Sequence, residues 1–250
     1  ADRLSRRGQM VVGVNDNVLG LTAKSLEPYQ VLIFNDCQRP QLGEEFKQAV
    51  IRHVQSGKGL VVVHCSLWSY IDWPEWDRMI GGRVETHDKY CTYDVVVLDP
   101  AHSVMSSLGN RFTITDEPYL VDKRDPSATV LIETAEPRHD AKGQLRPGPD
   151  PQAWVKRYGK GRILVTTFGH DAKSQDSEQF LTLMHNGIRW AGGLIDDAVH
   201  NKLTRSEEKA GFELLFNGRD LDGWQGDLKS WKGENGELVG RAEKALSESV

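Results

Sequence analysis

The sequence predicts an α/β fold, a mostly parallel sheet flanked by helices, on three observations. Gly59-Leu60-Val61-Val62-Val63 is an unbroken aliphatic run bounded by Gly and by polar residues, the pattern of a strand buried on both faces. Ahead of it, Phe46, Ala49, Val50, His53 and Val54 recur at helical spacing, which marks one face of an amphipathic helix between Gly43 and Gly57. Val31-Leu32-Ile33-Phe34 precedes that helix, so the order is strand, helix, strand, for which a right-handed parallel crossover is the rule.

The elements follow in order. Met10 to Val14 reads as a first short buried strand and Val31 to Phe34 as a second, ending at Asn35-Asp36. The Gly59–Val63 strand stops abruptly on His64-Cys65. Trp73 to Ile80 reads as a short helix with Pro74 in its first turn. Tyr90 to Leu98, residues 110 to 115 and Thr129 to Ile132 read as strands, the second running into Asp116-Glu117-Pro118-Tyr119. Glu136 to Pro151 holds four prolines and two glycines and reads as a loop. Ala153–Tyr158 and Arg162–Phe168 flank Gly159-Lys160-Gly161, a hairpin signal whose second arm ends at Gly169-His170-Asp171. A helix from about Ser177 to Ala191 carries Phe180, Met184 and Ile188 on one face. Asp176 and Gln179 have the spacing of a capping box, and Gly192-Gly193 closes the helix.

Residues 1–195 thus form one domain, 196–211 a polar linker, and 212–250 the onset of a β-rich unit with hairpin chemistry at Asn235-Gly236. That last stretch is too short to bury a core alone. The net charge of -5 gives no electrostatic reason to expect a nucleic acid. No apolar run approaches the roughly 20 residues of a membrane span. Ala1 to Arg7 is charged with no apolar core behind it, so it is not a signal peptide as it stands, and the compartment stays unknown. Cys37, Cys65 and Cys91 are too few and too scattered for a disulfide framework.

Residues 10–195 resemble a ThuA-like (trehalose-utilisation) domain. The likeness is carried by the Gly59–His64 strand, Gly81-Gly82-Arg83 with His87, and Leu98-Asp99-Pro100-Ala101-His102. Asp116-Glu117-Pro118-Tyr119, Trp154 ahead of Tyr158-Gly159-Lys160-Gly161-Arg162, and Thr167-Phe168-Gly169-His170 complete it. The resemblance implies the flavodoxin-like, class I glutamine amidotransferase-like fold. Residues 212–240 resemble the opening of a 3-keto-disaccharide hydrolase domain, a β-sandwich, through Leu215-Phe216-Asn217-Gly218-Arg219-Asp220-Leu221-Asp222-Gly223-Trp224. The chain departs from the first pattern at Ser103 and Pro118. It also lacks the strand and helix expected ahead of its first segment, which would leave a sheet edge uncovered.

Ligands of such sheets sit beyond the carboxyl ends of the strands. The resemblance therefore implies a carbohydrate pocket with His64, Glu117 and His170 as catalytic groups and His87, His102, Asp116, Tyr119 and Trp154 binding substrate. Imidazole and carboxylate groups hydrogen-bond hydroxyls, move protons near neutral pH or hold a divalent metal. Any such metal would draw its ligands from His64, His87, His102, Glu117 and His170, and no other cofactor is implied. Cys65 with His170 has the composition of a thiol nucleophile and its base, but His64-Cys65-Ser66-Leu67 lacks the Gly pattern of a strained elbow. The alternative for Cys65 is a small buried filler. Trp68, Tyr70, Trp73 and Trp76 suit either a sugar platform or core packing. His53 is expected at the core boundary, and His139, His185 and His200 at the surface. The expected partner is a small-molecule carbohydrate, a trehalose-like disaccharide or its 3-keto derivative. A non-catalytic sugar-binding or scaffolding module is the competing reading.

Overall fold

The computed structural model describes residues 5, 10–37, 41–197, 210–213, 215–216, 221, 224–226, 228–234 and 237–240. Along the chain, Ala23–Leu26 (α1) precedes the strand Val31–Phe34 (β1), followed by Glu44–Gln55 (α2) and Gly59–Val63 (β2). Ser66–Ser69 (α3) and Pro74–Ile80 (α4) lead to Gly82–His87 (β3), Cys91–Val97 (β4), Arg111–Asp116 (β5), Tyr119–Arg124 (β6) and Thr129–Thr134 (β7). Pro151–Tyr158 (β8) and Gly161–Thr166 (β9) form the hairpin. Ala172–Gln175 (α5) and Glu178–Ala191 (α6) close this part of the chain.

Seven strands make one sheet in the order β1-β2-β9-β8-β7-β4-β5, and β3 pairs with β6 in a small separate one. Parallel pairing belongs to β1, β2 and β9, the half that ends at His64 and His170. From β9 onward each neighbour runs antiparallel to the last. The tight turn between β8 and β9 permits only antiparallel return for that pair, whereas the α2 crossover between β1 and β2 permits parallel pairing. Every residue of β2 is buried, as a strand covered on both faces must be. Val61 and Val63 pack with α6, while Leu60 and Val62 pack with α2 and α4. At Gly161 a side chain has no room, because a Cβ there would overlap the Val54 and Lys58 carbonyl oxygens.

Several local expectations change. Met10 to Val14 forms no strand, and Val11 is 97% exposed; a short apolar run stays extended coil when no neighbouring strand offers it a ladder. The cap of α6 is Ser177, whose hydroxyl accepts from the Phe180 N–H, because Asp176 is taken up in ending α5. Tyr70, Trp73 and Trp76 are buried around Phe34, which leaves Trp68 as the partly exposed member of the aromatic group. His185 is half-buried rather than superficial, whereas His139 is exposed. The linker from 198 to 209 and His200 lie outside the described residues, as do parts of the 215–224 motif and the Asn235-Gly236 tip. The strands flanking that tip, Trp231–Glu234 (β10) and Glu237–Gly240 (β11), do pair antiparallel. No helix among the described residues is long and apolar enough to cross a membrane.

His53 lies on the buried face of α2, and burial pushes its imidazole from 6.5 down to about 4. Below pH 6.5 the unfolded chain takes up a proton that the folded chain refuses until about pH 4. The associated stability is therefore present above pH 6.5 and lost as pH falls through that window. Its expected size is about 2 kcal/mol at pH 5. Urea titrations at pH 7 and pH 5 should show this slope in the native chain and a flatter one in His53→Leu.

Candidate functional site

Strand direction decides which loops meet. β2, β9 and β5 point the same way, so His64, His170 and the Asp116-Glu117 pair emerge at one end of the sheet. β3 and β6 bring His87 opposite Tyr119 at that same end.

His64 is the hinge of the arrangement. It leaves β2 with φ of 48°, the left-handed region that a non-glycine residue enters at a cost, and the chain turns at once into α3. Thus His64, not Cys65, occupies the strained elbow. Its N–H donates to the Thr166 carbonyl at 2.8 Å, and its ring Nδ1 lies 2.6 Å from the Thr167 carbonyl oxygen. A carbonyl only accepts, so Nδ1 carries the proton and Nε2 presents a bare lone pair. Burial pushes the His64 pKa below its ordinary value, against the opposing pull of the Thr167 carbonyl and the two carboxylates. The residue is 2% exposed, and Nε2 has no hydrogen-bond partner.

Glu117 faces that lone pair. Its Oε2 lies 3.5 Å from His64 Nε2 and 3.0 Å from His170 Nδ1, and its Oε1 is 3.8 Å from His87 Nδ1. The His64 and His170 rings meet edge to face at 5.3 Å, and Tyr119 lies against both His64 and His87. His170 is half-exposed and opens the cluster to solvent. Tyr90 packs at its edge and donates its hydroxyl to Asp171, which caps α5.

Asp116 stands behind this group and is fully buried. It accepts from the Gly169 N–H at 2.7 Å, the Glu117 N–H at 2.8 Å, the His170 N–H at 3.3 Å and the Ser174 hydroxyl. Such a carboxylate fixes the backbone of the two residues that carry Glu117 and His170, and it does not reach the solvent-facing opening. Gln152, also fully buried, donates to the Tyr119 carbonyl and accepts from the hydroxyls of Thr167 and Tyr93. It thereby ties the Thr167 segment that orients His64 to the Tyr119 wall.

Asp116, expected to bind substrate, is instead engaged by protein donors behind the cluster, and two further expected pocket residues lie elsewhere. His102 follows β4, which runs antiparallel to β7, and it emerges at the opposite end of the sheet. There its ring packs on Trp190 and its Nδ1 accepts from the Val104 N–H. Trp154 is 0% exposed, donates to the Ile80 carbonyl and fills the core under Gly82. Cys65 is neither a free thiol nor a simple filler, because it is bonded to Cys37. The pairing has a signal in the parallel register: Phe34 opposes Val62, and each cysteine stands three residues further on. Tyr90, Gln152 and Ser174 were not singled out by the sequence, and Thr167 only as part of the motif that ends at His170. Their roles depend on contacts between distant segments.

A ThuA family model, described as trehalose utilisation, matches residues 2–191. Among solved structures, a ThuA-like protein from Parabacteroides merdae is 19% identical with a TM-score of 0.59, covering 72% of this chain and 75% of that one. A ThuA-like protein from Bacteroides uniformis is 18% identical with a TM-score of 0.63, covering 76% and 80%. At these identities the likeness shows a shared fold. A search of curated proteins found no match.

Proposed function

The chain belongs to the ThuA, or trehalose utilisation, family, and from that premise we propose that it is an enzyme acting on a trehalose-like disaccharide or a 3-keto derivative of one. The observation that carries the reading is the bare, buried Nε2 of His64 facing the Glu117 carboxylate at an opening lined by His170 and His87. A carboxylate and an imidazole in contact at a solvent opening suit proton removal and delivery at a sugar hydroxyl, or at the carbon beside a keto group. Glu117 accepts the proton and His170 returns it, while His87 and Tyr90 offer exposed ring faces and polar edges to a sugar and buried Tyr119 backs the His64 and His87 rings. The resemblance of residues 215–224 to the start of a 3-keto-disaccharide hydrolase domain supports the same substrate class.

The second reading is a sugar-binding module without turnover. It is favoured by the half-exposed rings, which would serve binding alone equally well. An amidotransferase is disfavoured, since the elbow residue is His64 and the neighbouring cysteine is in a disulfide. The two are separated by incubating the full chain with trehalose and with 3-keto-trehalose, with and without added divalent metal, and following both sugars by NMR. Conversion is expected. Binding of the sugars with no conversion under any of these conditions would replace the enzyme by the module.

A further inference from the structure

We propose that His64 Nε2, Glu117 and His170 hold a single first-row divalent transition-metal cation, with its remaining positions open to water or substrate. One atom from each of these three residues lies within 4.8 Å of the others. Ligands bonded at about 2.1 Å stand about 3.0–3.4 Å apart, a spacing the half-exposed His170 ring reaches by rotation. Glu117 Oε2 already sits 3.0 Å from His170 Nδ1 and 3.5 Å from His64 Nε2.

The second observation is independent of that spacing. His64 Nε2 is a buried lone pair with no donor, and the group nearest to it is a carboxylate oxygen, another acceptor. Two acceptors face each other across 3.5 Å, too long for a hydrogen bond, so something electron-poor belongs between them. A cation satisfies both groups. The Nδ1–H of His64 is held by the Thr167 carbonyl, the outer contact that fixes a metal-binding imidazole in its Nε2 tautomer. The strained backbone at His64 is what aims that nitrogen at Glu117.

Two imidazoles and one carboxylate suit manganese, iron, cobalt or zinc better than magnesium or calcium, which prefer an all-oxygen shell. His87 stays outside the set: its Nδ1 is 2.8 Å from the Asp88 carbonyl, and it borders the opening where substrate would arrive. The site stands on this geometry and does not require the sugar reading.

The test uses tag-free, unreduced full chain stripped with a chelator. Co²⁺ is titrated by its visible absorption and Zn²⁺ by calorimetry, both without sugar. One equivalent of each is expected to bind, with affinity weakened at least about 10-fold in His64→Asn and in Glu117→Gln. His102→Ala, at the far end of the sheet, should bind as the native chain does. Circular dichroism checks folding; should His64→Asn fail to fold, Glu117→Gln decides alone. No stoichiometric uptake, or uptake undiminished in Glu117→Gln, would overturn the site. A protein that loads the cation yet leaves both sugars unchanged keeps the metal site and loses the proposed activity.

Discussion

Glu117→Gln is expected to fold like the native chain and to lose about 10²–10⁴-fold in kcat/KM on whichever sugar is converted. The substitution keeps the side chain's shape, and the Glu117 backbone N–H remains held by Asp116. What disappears is the charge that faces His64 and His170. A neutral amide neither accepts the proton nor binds a cation with comparable strength. The melting temperature should move little, because the carboxylate stands at the solvent opening and not in the core. Activity within a few-fold of native would remove Glu117 from the chemistry.

Asp116→Ala is expected to act through the fold instead, with a loss of about 3–4 kcal/mol. The methyl group would leave three backbone N–H groups and the Ser174 hydroxyl without their shared acceptor, in a site closed to water. Glu117 and His170 would then lose the anchor that sets their spacing, so activity should fall as well. Asp116→Asn restores one acceptor oxygen and should be intermediate. Urea unfolding at pH 7 measures both variants. A loss below about 1 kcal/mol in Asp116→Ala would mean that the Gly169-His170 turn is held by other contacts.

The two predictions also mark where the sequence was legible. The pattern of Phe46, Ala49, Val50, His53 and Val54 announced a helix face, and that face is buried. The aliphatic run of β2 announced burial on both sides, and all five residues are buried. In each case the signal is local, a period or a run that burial alone explains. Strand direction is not local. His102 and Glu117 each follow a strand, and the two emerge at opposite ends because β4 and β5 run antiparallel. Trp154 looked like a pocket aromatic by its place in a motif, yet its indole is held inside by the Ile80 carbonyl. Asp116 and Glu117 are adjacent acids, and only the folded Gly169 turn separates the anchor from the group at the opening. The Cys37–Cys65 bond likewise becomes visible once β1 and β2 are paired in register.

The proposed sugar site lies at the end of β2, β9 and β5, against His64. Histidine-selective NMR of the full chain, labelled at the imidazole carbons and nitrogens, addresses it directly during a titration with trehalose or 3-keto-trehalose. The free protein should show His64 protonated at Nδ1 and bare at Nε2. Added sugar should shift the signals of His64, His87 and His170 and leave those of His53 and His102 in place. Shifts confined to His102, or none at the three clustered histidines under saturating sugar, would contradict the account.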